Sequence, residues 1–245
     1  MTDFSAETIS ELLERDLFPG QIVIKSVTGS TNDDAREFAG FDDWTVIIAE
    51  EQTAGRGRQG KSFYSPKHTG LYLSIVVPAA QENIFRVTPA AAVAVCRTIE
   101  KIAPDTKPEI KWVNDILING KKAAGILCET VPGTPHIIAG VGINLTTDTF
   151  PEDLETIAGS VFPKTTDRNV IAATLIRELK SALTEFNFIE EYRKRSAVIG
   201  KPIRYRENNQ WHDADCTGIA ENGGLIIREK NETRTLTSGE ISIRF

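Results

Sequence analysis

Two arginines and a lysine stand inside one glycine run, Gly55-Arg56-Gly57-Arg58-Gln59-Gly60-Lys61-Ser62. Glycines let backbone N–H groups crowd against an anion, and guanidinium forks match the planar oxygens of a carboxylate or phosphate. The same eight letters satisfy G-x-x-x-x-G-K-S, a P-loop, and G-x-G-x-x-G, a dinucleotide fingerprint. Both templates need a helix directly after the loop, because its N-terminus completes the phosphate cradle. Here Ser62 is followed by Phe63-Tyr64-Ser65-Pro66, and Pro66 with Gly70 would interrupt any such helix. What remains is an Arg-Gly-Arg clamp for an anion, or a surface turn with no ligand. Two arginines within a glycine run favour the clamp. Lys61, central to a P-loop, drops to a surface cation.

Three further segments gather polar groups. Lys111-Trp112-Val113-Asn114-Asp115 packs a cation, an amide and a carboxylate together, and Lys122 follows beyond Asn119-Gly120. On a hairpin turning there, Asp115 and Lys122 face each other across the ladder. That is a cross-strand ion pair worth well under about 1 kcal/mol as readily as it is a site. Ser30-Thr31-Asn32-Asp33-Asp34 opens a helix, with Ser30 or Thr31 as N-cap; the same hydroxyls, amide and free N–H groups also suit a polar ligand. Gly140-Val141-Gly142-Ile143-Asn144 ends a strand with glycines that admit close approach, and with one amide side chain.

These groups need a frame. Residues 45–49 and 70–77 are β-rich apolar runs on either side of the arginine loop. Pro89 at the first helical position opens a helix over Ala90–Ala103, closed by Pro104. Glu109–Trp112, Ile116–Ile118, Gly125–Glu129 and His136–Val141 are four further strands, the middle two a hairpin. A second helix starts near Asp167 with Ile171, Leu175, Leu179, Leu183 and Phe186 on one face. After Gly200-Lys201-Pro202 the pattern becomes short alternating strands ending in Ile241, Ile243 and Phe245, with turns such as Thr237-Ser238-Gly239 between them. The chain therefore divides into a main domain, 1–196, and a small β-barrel, 197–245, too small to be stable without packing on the first.

Composition narrows the function. A formal charge of -6 opposes a general nucleic-acid binder. Three widely spaced cysteines fit neither a zinc site nor a disulfide framework, which suits a reducing cytoplasm. The N-terminus lacks a signal pattern, and no apolar stretch is long enough to span a bilayer.

Taken together, the segments resemble the biotin–protein ligase family. The matching pieces are Ser30-Thr31-Asn32; Glu51-Gln52 with Ala54-Gly55-Arg56-Gly57-Arg58-Gln59-Gly60; Ser65-Pro66; Leu71-Tyr72-Leu73-Ser74; Lys111-Trp112-x-Asn114-Asp115; Lys122 with Ala124-Gly125-Ile126-Leu127; Gly142-Ile143-Asn144; and Gly239-Glu240-Ile241-Ser242. They run through nearly the whole chain. The resemblance implies an α+β fold: a class II synthetase-like mixed β-sheet with flanking helices, plus a small C-terminal SH3-like β-barrel. It also implies a two-step reaction with ATP, biotin and Mg²⁺, in which biotin is activated as biotinyl-5′-adenylate and passed to a lysine of a biotin carboxyl carrier domain.

The family's roles fall on this chain as follows. Ser30, Thr31, Asn32 and Gln52 resemble the groups around the biotin ureido ring. Arg56, Gly57 and Arg58 resemble the loop over carboxylate and phosphate. Lys122 resembles the lysine at the reacting oxygens, with Lys111 a further cation and Asp115 either orienting Lys122 or helping to hold the metal. Arg58, Phe63, Asn114 and Asn144 resemble nucleotide contacts, with Asn144 facing the adenine. Val113 stands where proline is usual and Phe63 where tryptophan is frequent. The 29 residues before Ser30 are too few for a winged-helix domain, so no repressor function and no nucleic acid is expected. Dimers occur in the family, but the sequence marks no dimer surface. Lipoate–protein ligases share the fold and adenylate chemistry, and a non-catalytic phosphate or nucleic-acid binding module is the other alternative. Ser-Thr-Asn with the arginine loop favours biotin over the first, and the acidic balance counts against the second.

Overall fold

The computed structural model describes residues 3–13, 20–79, 83–162, 167–230, 232–237 and 239–243; Ser238 and Phe245 lie outside the described residues. Seven strands form one mixed sheet in the order β1-β2-β3-β7-β6-β5-β4. They are β1 (Ile22–Lys25), β2 (Val46–Ala49), β3 (Gly70–Pro78), β4 (Glu109–Lys111), β5 (Asp115–Ile118), β6 (Lys121–Thr130) and β7 (His136–Asn144). Only β1 and β2 pair in parallel; every other neighbour is antiparallel.

Alternation along the strands gives this sheet two unlike faces. On one, Leu71, Leu73, Ile75 and Val77 of β3 join Ile137, Ala139, Val141 and Ile143 of β7 in the main core. Helices α1 (Ala6–Leu12), α3 (Ile84–Ile102) and α4 (Arg168–Glu185) cover that face. On the other face the cross-strand rows are Tyr72–Gly142–Gly125–Asp115 and Ser74–Gly140–Leu127. One end of it is roofed by apolar packing, where Ala35 and Ala39 of the α2 (Thr31–Arg36) region pack on Ile47, Val76 and Ile138. The remainder is floored largely by glycine.

Asn119 and Gly120 both take the left-handed backbone that a two-residue type I′ hairpin requires, joining β5 to β6. Asp167 caps α4 through the Asn169 N–H, and Ile171, Leu175, Leu179 and Leu183 are buried as the periodicity predicts. The helix expected to begin at Pro89 instead begins at Ile84, leaving Pro89 inside it. A proline there forgoes one backbone bond, to the Phe85 carbonyl. Burial of Val87 and the alanines beyond Pro89 outweighs that loss. Gly223 packs against the same spot: a Cβ on it would lie 2.6 Å from Pro89 Cγ.

A short α5 (Ile189–Lys194) leads to a five-stranded antiparallel sheet ordered β11-β10-β9-β8-β12. Its strands are β8 (Pro202–Glu207), β9 (Gln210–Ile219), β10 (Leu225–Glu229), β11 (Glu232–Leu236) and β12 (Glu240–Ile243). Ile203, Tyr205, Leu225 and Ile227 run into the same continuous core as the first sheet. Trp112 Nε1 donates to the Gly223 carbonyl at 2.9 Å, a buried bond between the two sheets' loops. Among the described residues no helix is long and apolar enough to cross a membrane.

Candidate active site

A cavity of about 630 Å³ lies on the glycine floor, and every site residue expected from the sequence lines it. The arginine loop forms one wall, residues 150–158 another, and Gly239, Glu240 and Ile241 of the C-terminal sheet a third. The loop is a folded unit. Arg56 bridges to Ser62, the Gly57 N–H donates to the Lys61 carbonyl at 2.7 Å, and a single 3-10 turn spans Arg58–Gly60. No helix follows it before β3, as Pro66 predicts.

At the α2 end of the cavity the polar groups hold one another. Ser30 occupies the N-cap position but makes no side-chain cap bond, so the capping role expected of it is not what the structure shows. The Gln52 amide oxygen accepts from the Thr31 N–H at 2.9 Å, which leaves its nitrogen to donate to Ser65 Oγ at 2.9 Å. Asn32 donates to the Leu127 carbonyl at 3.2 Å and to Glu129 Oε2 at 2.8 Å. Its own Oδ1 accepts from Ser74 Oγ at 2.6 Å. Asn32 sits hard on the floor, since a Cβ on Gly140 would lie 2.0 Å from that oxygen.

The cations differ in how far they are already neutralised, which the sequence did not show. Arg56, counted there as an available cation, forks onto Glu129 at 3.0 and 2.7 Å and also meets Asp33 at 2.8 Å. Lys122 meets Asp115 at 2.6 Å. The two are not directly opposite as expected: a bulge between Ile116 and Leu117 pairs Asp115 with Gly125 and Leu117 with Lys122. Lys61 is exposed but not idle, for it pairs with Glu240 on β12 and holds that carboxyl below its usual range. Arg58 and Lys111 have no carboxylate partner among the described residues; Arg58 only reaches Asn114 Oδ1 at 3.4 Å. Burial lowers the pKa of both, with Asp115 opposing the shift in each case. Two desolvated cations with no carboxylate in direct contact are a place for an anion.

Farther along the floor, the Phe63 ring lies over Gly142 and Gly125, whose added Cβ atoms would come within 2.5 and 3.2 Å of it. The ring meets Tyr72 edge-on at 6.4 Å. Asn144 donates to the Gly159 carbonyl at 3.1 Å, which fixes its amide orientation and leaves Oδ1 buried without a partner. Asn114 donates to the Ile126 carbonyl at 2.8 Å, bracing the turn that carries Lys111 and Asp115.

Sequence reasoning missed Ser74, Glu129, Asp33 and Arg36, which knit this site together. Ser74 had a signal, a small polar residue at the centre of the otherwise apolar run Leu71–Val77. Glu129 had another: it stands two and four residues beyond Leu127 and Gly125, on the same face of β6.

Comparison with known proteins identifies the family of the chain. The model of the Biotin/lipoate A/B protein ligase family matches residues 21–144, and that of the Biotin protein ligase C terminal domain matches 198–244. A biotin–[acetyl-CoA-carboxylase] ligase of Mycobacterium tuberculosis is 33% identical over 90% of this chain and 88% of its own. The bifunctional ligase/repressor BirA of Escherichia coli is 29% identical over 92% of this chain and 74% of its own. In fold, the chain is similar to a biotin protein ligase from Aquifex aeolicus solved with biotin and ATP, with a TM-score of 0.81 at 23% identity, covering 91% of this chain and 98% of that one. The chain belongs to the Biotin/lipoate A/B protein ligase family, among its biotin protein ligases.

Proposed function

We propose that the chain joins biotin to a lysine of a carboxyl carrier domain at the expense of ATP. One observation carries the reading: a single cavity runs from the Thr31–Asn32–Gln52 corner, past Arg58 and Lys111, to Asn144. Both amide protons of Asn32 are already used, so its oxygen offers a remaining lone pair to a ligand N–H, such as those of the biotin ureido ring. At the far end, the unpartnered Asn144 Oδ1 suits the 6-amino group of adenine. Phe63 keeps an aromatic face for the base, though it lacks an indole N–H.

Between the ends, Arg58 and Lys111 receive the phosphates. Biotin's carboxylate oxygen attacks the α-phosphorus, the bond to the β-phosphate oxygen breaks, and pyrophosphate leaves. The acceptor lysine's amine then attacks the acyl carbon and AMP departs. Lys122, aimed by Asp115, faces the oxygens on which charge gathers in both steps. Mg²⁺ would enter on the ATP phosphates and withdraw charge from them; Asp115 and Asp153, hard oxygen donors on the cavity wall, fit such an ion. We divide the chain into a catalytic part, 1–196, and a C-terminal part, 197–245, which lends Gly239–Ile241 to the cavity. Three unpaired cysteines suit a reducing cytoplasm. A transfer assay with ATP and a carboxyl carrier domain tests the function, with lipoate run in parallel. Transfer of lipoate but not biotin, or of neither, overturns it.

A further inference from the structure

The side chain that organises the biotin end is an acid on the opposite strand. Glu129 Oε1 meets Arg36 at 2.8 Å and Arg56 at 3.0 Å; its Oε2 meets Arg56 at 2.7 Å and the Asn32 amide at 2.8 Å. One carboxylate on the sheet thus joins α2, through Arg36 and Asn32, to the arginine loop. Arg56 presents a planar fork of the kind that would otherwise hold a free carboxylate, and Glu129 fills it bidentately. Asp33 adds a third contact from α2, so the two arginines and two acids balance in charge.

We propose that Glu129 is a positioning residue for biotin. It holds the arginine loop against the sheet through Arg56 and fixes the Asn32 carbonyl toward the ligand, without touching the reacting atoms. Arg56 is then the tie of the loop, and the ligand's anionic groups fall to Arg58 and Lys111. This rests on the proposed function for its ligand, but not for its geometry.

Glu129→Gln keeps the shape and removes the charge; Glu129→Asp keeps the charge and shortens the reach. Biotin-dependent pyrophosphate exchange in the full chain should show the biotin KM of Glu129→Gln raised about ten- to a hundredfold, the factor carried by losing one hydrogen bond to a charged group. Its kcat and ATP KM should stay within about threefold, and Glu129→Asp should recover part of the loss. Amide exchange of 55–62 in the ligand-free chain should quicken in Glu129→Gln, while 137–143 stays protected. Wild-type biotin KM together with unchanged loop exchange overturns the proposal. So does a uniform loss of protection with kcat lowered and the biotin KM unchanged, which marks general destabilisation. If the native chain shows no biotin-dependent exchange, the proposed function fails, and the loop protection alone decides the role of Glu129.

Discussion

Gly140→Ala separates binding of biotin from binding of ATP. The new methyl would lie 2.0 Å from Asn32 Oδ1, where ordinary contact begins at 3.4 Å. Asn32 must therefore retreat by about 1.4 Å. It cannot do so and keep its bonds to Ser74 on β3 and to Leu127 and Glu129 on β6. Two neutral hydrogen bonds at about 1 kcal/mol each and one to a carboxylate at about 2 kcal/mol put the cost near 3–4 kcal/mol. If that cost falls on the biotin-competent arrangement, the biotin KM rises by roughly two to three orders of magnitude. The share felt by the free protein lowers Tm by up to about 6–15 °C for a chain of this length. Pyrophosphate exchange measured against each substrate should show the ATP KM nearly unchanged. The matching control is Gly142→Ala, whose methyl meets the Phe63 ring at 2.5 Å. That ring sits at the end of a loop and can swing, so Tm should move little while the ATP KM rises. A Gly140→Ala chain with a biotin KM within about threefold of native would refute the Asn32 assignment.

Other substitutions probe the rest of the site. Lys122→Ala should slow pyrophosphate exchange by two orders of magnitude or more while Tm moves by about 2 °C or less, since its half-exposed pair with Asp115 contributes little to folding; native-like exchange rates would remove Lys122 from the chemistry. Asn144→Leu should raise the ATP KM while leaving the biotin KM alone, as measured in the same assay. Trp112→Phe leaves the Gly223 carbonyl buried and unbonded, so chemical denaturation should report a loss of about 1–3 kcal/mol. Glu129 also predicts a pH signature. Burial raises its pKa, but the Asn32 hydrogen bond and the Arg56 and Arg36 charges outweigh that and set it below the usual value. A lowered folded-state pKa contributes stability above the ordinary glutamate range and loses it as pH falls through the lowered value. Thermal unfolding curves of native and Glu129→Gln proteins should therefore differ at neutral pH and converge in acid.

Much of the frame was legible because it rests on local chemistry. Asn119-Gly120 dictates its hairpin, Asp167 its cap, and the four-residue spacing from Ile171 to Leu183 its buried stripe. Pro66 ruled out the P-loop for the same local reason. The misplaced helix start shows the limit: Pro89 signals an N-terminus, yet packing on both sides of it carried the helix back to Ile84. Site membership was legible from residue type, but pairing was not. Nothing near Arg56 in sequence announces Glu129, 73 positions away, as its partner. Nothing near Lys61 announces Glu240, 179 positions away. Which cations lack a carboxylate in contact is a property of tertiary structure alone.

The wall formed by Gly239–Ile241 has a practical side. Ile241 is four residues from Phe245 in sequence, and an extended chain covers at most about 14 Å over that distance. A label attached at position 245 therefore stays within about 14 Å of the cavity wall, whatever path the backbone takes. A fluorophore placed there should change its emission when biotin or ATP fills the cavity, which turns the wall itself into a binding reporter.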